Sequence, residues 1–325
     1  MEQNVIRRIG VLTSGGDAPG MNAVIRAVVR TASAHGISVL GIRRGYSGLI
    51  NGDITELSAR SVDGISRKGG TMLYTARCKE MLTPDGLQKA ADTCKYLGID
   101  GLICVGGDGT FRGALALSRL GVPCIGVPGT IDNDIGCSDY TIGFDTACNT
   151  ALECIDKLRD TMQSHERCSV VEVMGRHAGH LALNVGCAVG ATAILLPERE
   201  INFETEVIEK MRMGRIKGRN HHIIIVAEGY GSAQEISDRI RDATGIDTRL
   251  TILGHIQRGG SPTSQDRIMG TRMGYAAVTA LEAGKSKRVV VLEGGHVVDI
   301  DIEEGLQKTK DLNQSLFEAQ QTVAI

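Results

Sequence analysis

Cys124-Ile125-Gly126-Val127-Pro128-Gly129-Thr130-Ile131-Asp132-Asn133-Asp134 reads as a short apolar strand running into a polar loop. Proline and glycine stop the strand with an extended, flexible exit. The loop therefore stands at a strand's carboxyl end, where open α/β sheets bind their ligands. Along an extended segment, Asp132 and Asp134 project from the same side. Paired carboxylates suit two tasks, taking a proton from a substrate hydroxyl and holding Mg²⁺ through oxygen ligands. Turn chemistry accounts equally well for Asp, Asn and Gly here, so this stretch alone leaves both readings open.

The stretch just upstream shifts the balance. Residues 101–105 form another apolar strand, followed by Gly106-Gly107-Asp108-Gly109-Thr110 and a helical segment over 111–120. Strand, glycine-rich turn and helix start make a phosphate-binding arrangement: glycines admit the anion to the backbone, and free amides at the helix amino terminus point toward it. Asp108 beside a phosphate implies an intervening cation, and Mg²⁺ is its natural partner. The alternative makes Asp108 or Thr110 a helix cap. The same theme opens the chain, with a strand over 9–12, the turn Thr13-Ser14-Gly15-Gly16-Asp17-Ala18-Pro19-Gly20 and a helix over 21–34.

At 325 residues the chain exceeds the usual size of one domain. With no Trp and four Phe, its cores must be aliphatic. Lys plus Arg number 36 and Asp plus Glu 38, a net charge of −2 that gives no global nucleic-acid or anionic-membrane footprint. The nine cysteines include no Cys-x-x-Cys pair, which fits reduced thiols in the cytosol better than disulfides or zinc. Met1-Glu2-Gln3-Asn4 lacks a signal peptide's basic and apolar regions, and no apolar stretch reaches a membrane span. The expectation is a soluble cytoplasmic protein.

Strands and helices alternate along the rest of the chain. Strands are expected at 39–42, 169–173, 193–196, 222–227, 250–253, 288–292 and 297–300. Helices are expected at 84–97, capped by Thr83, and at 145–161, 204–213, 234–244 and 265–283. The signal over 51–75 is mixed, and Lys68-Gly69-Gly70 reads as mobile. The pattern predicts an α/β protein of two three-layer α/β/α domains, with mainly parallel sheets and a cleft between their carboxyl ends.

Arg77, Arg167, Arg176, Arg249 and Arg258 fall at or near strand ends or loops. Guanidinium matches phosphate bidentately, so several such arginines beside two glycine loops fit a phosphate-bearing substrate. His255 either orients a sugar hydroxyl or phosphate or is a satisfied structural histidine, while His221 and His222 read as strand-entry residues. Neither a Walker A sequence nor a protein-kinase catalytic loop occurs. The parts nevertheless suffice for in-line phosphoryl transfer.

Gly107-Asp108-Gly109-Thr110, the loop 128–134, Met174-Gly175-Arg176 and Gly254-His255-Ile256-Gln257-Arg258-Gly259-Gly260, in this order and spacing, closely resemble the bacterial ATP-dependent 6-phosphofructokinases. The likeness covers residues 9–280. It implies a glycolytic kinase that transfers the ATP γ-phosphoryl to the 1-hydroxyl of fructose 6-phosphate with Mg²⁺, in a homotetramer with active sites shared between subunits. It implies a larger ATP domain of residues 1–142 with 256–306, and a smaller sugar-phosphate domain of 143–255 with 307–325. By the resemblance Asp132 is the base, Thr130 and Arg176 contact the transferring group or the sugar, and Asp108 binds Mg²⁺. Gly16, Arg77, Cys78 and Gly107 to Thr110 would hold ATP. Met174, Gly175, Glu228, His255 and Arg258 would hold the sugar phosphate, reached by Arg167 and Arg249 from a neighbouring subunit.

Pyrophosphate-using relatives carry an aspartate where Gly109 stands and a lysine where Gly129 stands, and those side chains would fill the space that the α-phosphate of ATP needs. This chain resembles the ATP type. Arg26, Arg30, Arg159, Arg219 and His221 fit the family's effector pocket for ADP or phosphoenolpyruvate. Ala59 stands where an arginine is expected and Thr192 where an acidic residue is, which implies weaker or differently selective activation by ADP. The competing readings are a pyrophosphate-dependent phosphofructokinase, a tagatose 6-phosphate kinase, an NAD or lipid kinase with a similar Gly-Gly-Asp-Gly loop, and a nonenzymatic sugar or nucleotide sensor.

Overall fold

A computed structural model describes residues 6–324, so the opening residues read above for a signal peptide lie outside the described residues. The chain begins with β1 (Arg8–Thr13), α1 (Met21–Ala34), β2 (Ser38–Ile42), α2 (Gly45–Asn51), β3 (Ile54–Leu57), α3 (Pro84–Tyr96), β4 (Gly101–Gly106), α4 (Asp108–Arg119) and β5 (Cys124–Pro128). It continues through α5 (Phe144–His165), β6 (Cys168–Val173), α6 (His180–Ala188), β7 (Ala193–Leu195), α7 (Glu209–Ile216), β8 (His222–Ala227), α8 (Ala233–Thr244) and β9 (Thr248–Ile252). It closes with α9 (Ser264–Glu282), β10 (Arg288–Glu293), β11 (His296–Asp301), α10 (Ile302–Gln307) and α11 (Gln314–Val323).

These elements divide into two compact units. The first comprises Met1–Ile131, Ile135–Thr146 and Arg258–Lys310, and the second Asp132–Asp134, Ala147–Gln257 and Asp311–Ile325. The long run of the second unit starts only at Ala147, since Gly143 and Thr146 are bonded to Asp266 in the first unit, as described below.

The first unit holds a seven-stranded sheet in the order β11-β10-β5-β4-β1-β2-β3. Its five central strands run parallel, while β3 and β11 pair antiparallel at the two edges. β4 is buried along its whole length, as a central parallel strand covered on both faces must be. From β1 the chain passes through α1 to β2 on one side, and from β4 through α4 to β5 on the other. The neighbours β1 and β4 thus form a topological switch point, with a crevice at their carboxyl ends.

The second unit has a four-stranded parallel sheet in the order β7-β8-β6-β9. β6 leads through α6 outward to β7, and β8 leads through α8 the other way to β9. The neighbours β6 and β8 are therefore a second switch point. Its core is Cys168, Val170, Leu195, Met211, Ile224, Val226 and Ile240, aliphatic as the composition requires.

Local chemistry explains the helix starts. The hydroxyl of Thr83 accepts from Gly86 N at 3.1 Å with Pro84 at the first helical position, and Ser232 accepts from Glu235 N at 3.2 Å. α9 lies close on α1 because Gly274 faces it without a side chain, and a Cβ there would fall 2.8 Å from Val24 O. Two elements depart from the sequence reading. α2 and β3 occupy stretches read as loop or mixed, since α2 has no side-chain cap and β3 is a half-exposed edge strand with little apolar patterning. Lys68-Gly69-Gly70, read as mobile, is anchored: the buried Asn22 donates to Lys68 O at 3.1 Å and accepts from Met72 N at 2.8 Å.

Asp266 is fully buried in the first turn of α9. Its carboxylate accepts from Tyr140 Oη at 2.5 Å, Gly143 N at 2.7 Å, and Thr146 N and Oγ1 at 2.9 and 2.5 Å. Burial pushes its pKa up and these donors oppose the shift. Asp266→Ala strands those donors without an acceptor, and guanidinium unfolding should show a loss of about 3 kcal/mol or more. A loss below about 1 kcal/mol would mean that water replaces the carboxylate without penalty.

Candidate active site

At the first switch point two glycine loops are stitched together. Ser14 N donates to Val105 O at 3.0 Å, and Thr110 Oγ1 donates to Ser14 O at 3.1 Å. α4 starts at Asp108 with Gly107 as its N-cap and no side-chain cap, so neither Asp108 nor Thr110 serves as the cap. The first amides of α4 and the Asp108 carboxylate accordingly share one helix start. A Cβ on Gly107 or Gly109 would meet nothing within 4 Å, so the space before this turn is open.

Beside it, Thr75 Oγ1 donates to Gly15 O at 2.8 Å, which ties the segment carrying Arg77 and Cys78 to the first loop. Arg77 is exposed, while Cys78 is half-buried against the core. Arg258, placed by the sequence in the sugar site, lies against this loop. Its guanidinium donates to Asp17 O at 3.1 Å and occupies the face where Gly16 lacks a side chain, 2.7 Å from an added Cβ.

The aspartate loop leaves β5 beside these. Gly129 bridges to Ile142, and Thr141 Oγ1 donates to Thr130 O at 2.7 Å. The expected extended run fails at Asn133, whose φ of 50° is left-handed. Asp132 and Asp134 therefore do not share a side by simple alternation: Asp132 is 6% exposed and Asp134 half-buried. A Cβ on Gly129 would meet Val105 Cγ1 at 3.1 Å and Met21 Cε at 3.2 Å, in contrast to the open space at Gly109.

At the second switch point β6 delivers Met174-Gly175-Arg176 and β8 delivers Glu228-Gly229. These loops interlock. Arg176 N donates to Glu228 Oε2 at 3.3 Å, and a Cβ on Gly229 would fall 2.5 Å from Arg176 O. Arg176 is left-handed at φ 60°, and Gly175, at φ 151°, lies so close to Ala178 O that an added Cβ would be 2.4 Å away. Burial raises the Glu172 pKa, and the Glu228 carboxylate nearby raises it further. Gln257, fully buried, accepts from Met174 N at 3.3 Å and donates to Gly254 O at 3.1 Å. This fixes the turn that carries His255. Arg167 and Arg249 grip one carboxylate, Asp247, at 2.6 and 3.1 Å. The hydrogen bond from Arg167 is the main cause of that acid's lowered pKa. Among the described residues no group of three or more His, Cys, Asp or Glu could hold a metal ion.

Residues 8–281 match the family model described as Phosphofructokinase. The chain belongs to the phosphofructokinase family. An ATP-dependent 6-phosphofructokinase of Clostridium botulinum (strain Loch Maree / Type A3) is 55% identical over 313 residues, covering 96% of this chain and 98% of that relative. The relative of the same name from Clostridium novyi (strain NT) is 53% identical over the same lengths. Among solved structures, phosphofructokinase from Saccharomyces cerevisiae superposes with a TM-score of 0.89 at 34% identity, over 98% of this chain. The chain spans about half of that longer chain, 48%. A pyrophosphate-dependent phosphofructokinase from Marinobacter aquaeolei gives a TM-score of 0.85 at 22% identity, over 98% of this chain and 92% of that one, a likeness of fold alone.

In this phosphofructokinase four of the residues expected at an effector pocket, Arg30, Arg159, Arg219 and His221, are engaged by protein groups. Arg30 pairs with Asp63 at 3.4 Å, while Arg26 is half-buried on α1. Arg159 donates to Val189 O, Arg219 donates to Ala324 O at 2.6 Å and Gly190 O at 3.4 Å, and His221 meets the Gln163 amide at 3.4 Å. Ala59 is half-buried. Thr192 points inward, 2% exposed, with its hydroxyl 3.3 Å from His222 Nδ1.

The sequence reading missed Asp266 because Thr263-x-x-Asp266 carries the signature of an ordinary capping box. It missed Gln257 and Thr75 because neither residue type signals a site.

Burial, then the nearby Arg219 and His221, lower the pKa of His222 from 6.5 to about 4. Above pH 6.5 the imidazole is neutral folded and unfolded; as pH falls toward about 4, only the unfolded chain takes up the proton. Stability is therefore full above 6.5 and declines below it, by at most about 1.4 kcal/mol per pH unit for this group. His222→Asn keeps a partner for Thr192 without the titration. Guanidinium midpoints measured from pH 7.5 to 4.5 should fall more steeply for the natural protein than for the variant, and parallel curves would remove His222 as the cause.

Proposed function

We infer that this chain is an ATP-dependent 6-phosphofructokinase, moving the γ-phosphoryl of ATP to the 1-hydroxyl of fructose 6-phosphate. The observation that carries the reading is the open glycine turn at the β1/β4 switch point, where Gly107 and Gly109 leave room for a large donor. The relatives named ATP-dependent 6-phosphofructokinase, 55% identical over 96% of this chain, support the same donor.

Gly16, Arg77, Cys78 and the turn Gly107-Asp108-Gly109-Thr110 hold ATP, with the first amides of α4 facing the donor phosphates. Asp108 contributes a carboxylate at the start of α4, and a carboxylate beside substrate phosphates suits Mg²⁺, which keeps several waters and takes its remaining ligands from those phosphates. When bound, Mg²⁺ neutralises charge on the donor phosphates. Met174, Gly175, Glu228, His255 and Arg258 hold the sugar phosphate. As the 1-hydroxyl oxygen bonds to the γ-phosphorus and the bridging β,γ P–O bond breaks, Asp132 accepts the hydroxyl proton. Its burial in the loop excludes bulk water from that transfer. Thr130 and the Arg176 guanidinium contact the transferring group.

In a cytoplasmic homotetramer, Arg167 and Arg249 reach the sugar phosphate of a neighbouring subunit. ADP or phosphoenolpyruvate would act through Arg26, Arg30, Arg159, Arg219 and His221. The inward Thr192 weakens the response to Mg²⁺-bound ADP, because it supplies no carboxylate.

The test is direct assay of fructose 1,6-bisphosphate after incubation with fructose 6-phosphate and Mg²⁺, with ATP or pyrophosphate as donor. Product with ATP alone is expected, and product with pyrophosphate alone would reverse the donor assignment. Gly109→Asp enters open space, so its unfolding midpoint should stay near that of the natural chain while the KM for ATP rises at least about tenfold. Asp132→Ser should reduce kcat by about 10²–10⁴ with sugar binding retained. Near-normal turnover would remove Asp132 as the base.

A further inference from the structure

Two left-handed residues other than glycine meet beside the first glycine loop. Arg44 has φ 59° and Tyr74 φ 55°, a conformation that any residue with a Cβ resists. The backbone is held there from both sides: Arg44 N donates to Leu73 O at 2.8 Å, Thr13 Oγ1 donates to Tyr74 O at 2.8 Å, and Thr75 Oγ1 donates to Gly15 O at 2.8 Å. These bonds explain how the segment is kept in place. They give no reason for an aromatic ring, because glycine would make every one of them without strain.

Tyr74 is 53% exposed. The guanidinium carbons of Arg43 and Arg44 lie 5.0 and 5.5 Å from its centroid, and both arginines are steadied by Asp53. Arg43 and Arg44 leave the carboxyl end of β2, the strand beside β1, so the stack stands on the same sheet edge as the phosphate-type loops. The two guanidinium groups lie over the ring, and the half of Tyr74 that stays exposed offers a nucleobase a π surface with cations beside it to meet the base's acceptors.

We propose that Tyr74, flanked by Arg43 and Arg44, recognises the base of the nucleoside triphosphate, so that donor choice depends on the base as well as on the phosphates. This rests on the nucleotide site proposed above and adds its specificity element.

Calorimetric titration of the full chain with ATP and with inorganic tripolyphosphate, each with Mg²⁺, isolates what the base contributes. The natural protein should bind ATP about tenfold tighter than tripolyphosphate, the scale of one base stacked on an aromatic ring. Tyr74→Gly should remove that difference by weakening ATP alone, with an unfolding midpoint equal to or above that of the natural protein because the backbone strain is relieved. Tyr74→Phe should restore it. In steady state Tyr74→Gly should raise the KM for ATP, leave the KM for fructose 6-phosphate unchanged and lower the preference for ATP over CTP. A merely structural Tyr74 would not move these ratios.

If Tyr74→Gly keeps the natural ratio of ATP to tripolyphosphate affinity, base recognition by Tyr74 is overturned while the nucleotide site stands. Equal affinities in the natural protein overturn it as well. Binding of neither probe would overturn the nucleotide site itself, and the proposal with it.

Discussion

The Asp266 carboxylate supports the segment on which the aspartate loop rests. Removing a carboxylate from water is costly unless several donors replace the lost hydration, and here two hydroxyls and two backbone amides do so. All of those donors lie between Tyr140 and Thr146, a stretch that runs from an irregular link into the first turn of α5. Once fixed, the stretch braces the loop before it, through the Ile142 N bond to Pro128 O at 3.0 Å and the Thr141 bond to Thr130 O. The start of α9 is tied in by the same group, since Thr263 N donates to Thr146 Oγ1 at 3.0 Å. A buried charge thereby sets where the aspartate loop begins.

Glycine plays two opposite parts around that loop. At Gly106 an added Cβ would collide with Thr110 Oγ1 and Ser14 O at 2.3 and 2.4 Å, so the absent side chain lets two loops touch. At Gly107 and Gly109 the absent side chain leaves open space instead. The first kind of glycine is a packing requirement, and substitution there disturbs the fold. The second kind shapes a binding space, and substitution there changes what fits. Gly129 belongs nearer the first kind, because Val105 and Met21 already lie within 3.2 Å of an added Cβ. A lysine at 129 would need Met21 to move, whereas an aspartate at 109 would not disturb its neighbours.

Most of the parallel strands and their polar exits were legible because each of these is a short apolar run followed within a few residues by glycine, a pattern that survives without knowledge of pairing. β3 was not, since an edge strand exposed on both central residues carries no alternating signal. The Lys68-Gly69-Gly70 segment looked mobile from composition, yet Asn22, distant in sequence, holds it. Asn133 shows the same limit on a smaller scale: alternation predicts side-chain direction only while the backbone stays extended, and one left-handed residue cancels it. The residues of the motif loops could be named from the sequence, but groups bracing them from outside, Asp266 and Thr75, act through contacts that span dozens of residues or more.

The arginines around the loops differ in how they are held, and the difference bears on how an anion would be received. Arg258 and Arg219 donate to backbone carbonyls, which orient a guanidinium without cancelling its charge. Arg167 and Arg249 instead share the Asp247 carboxylate, whose lowered pKa records the favourable pairing. A phosphate approaching the first kind meets a cation already in place, and exchanging a carbonyl for a doubly charged oxygen cluster is favourable with little ordering cost. A phosphate approaching the second kind must compete with an existing negative charge, though an exposed pair of this sort is held weakly and is screened by salt. The carbonyl-held arginines are therefore poised for tight, preorganised contact, and the Asp247 pair for contact that depends on ionic strength.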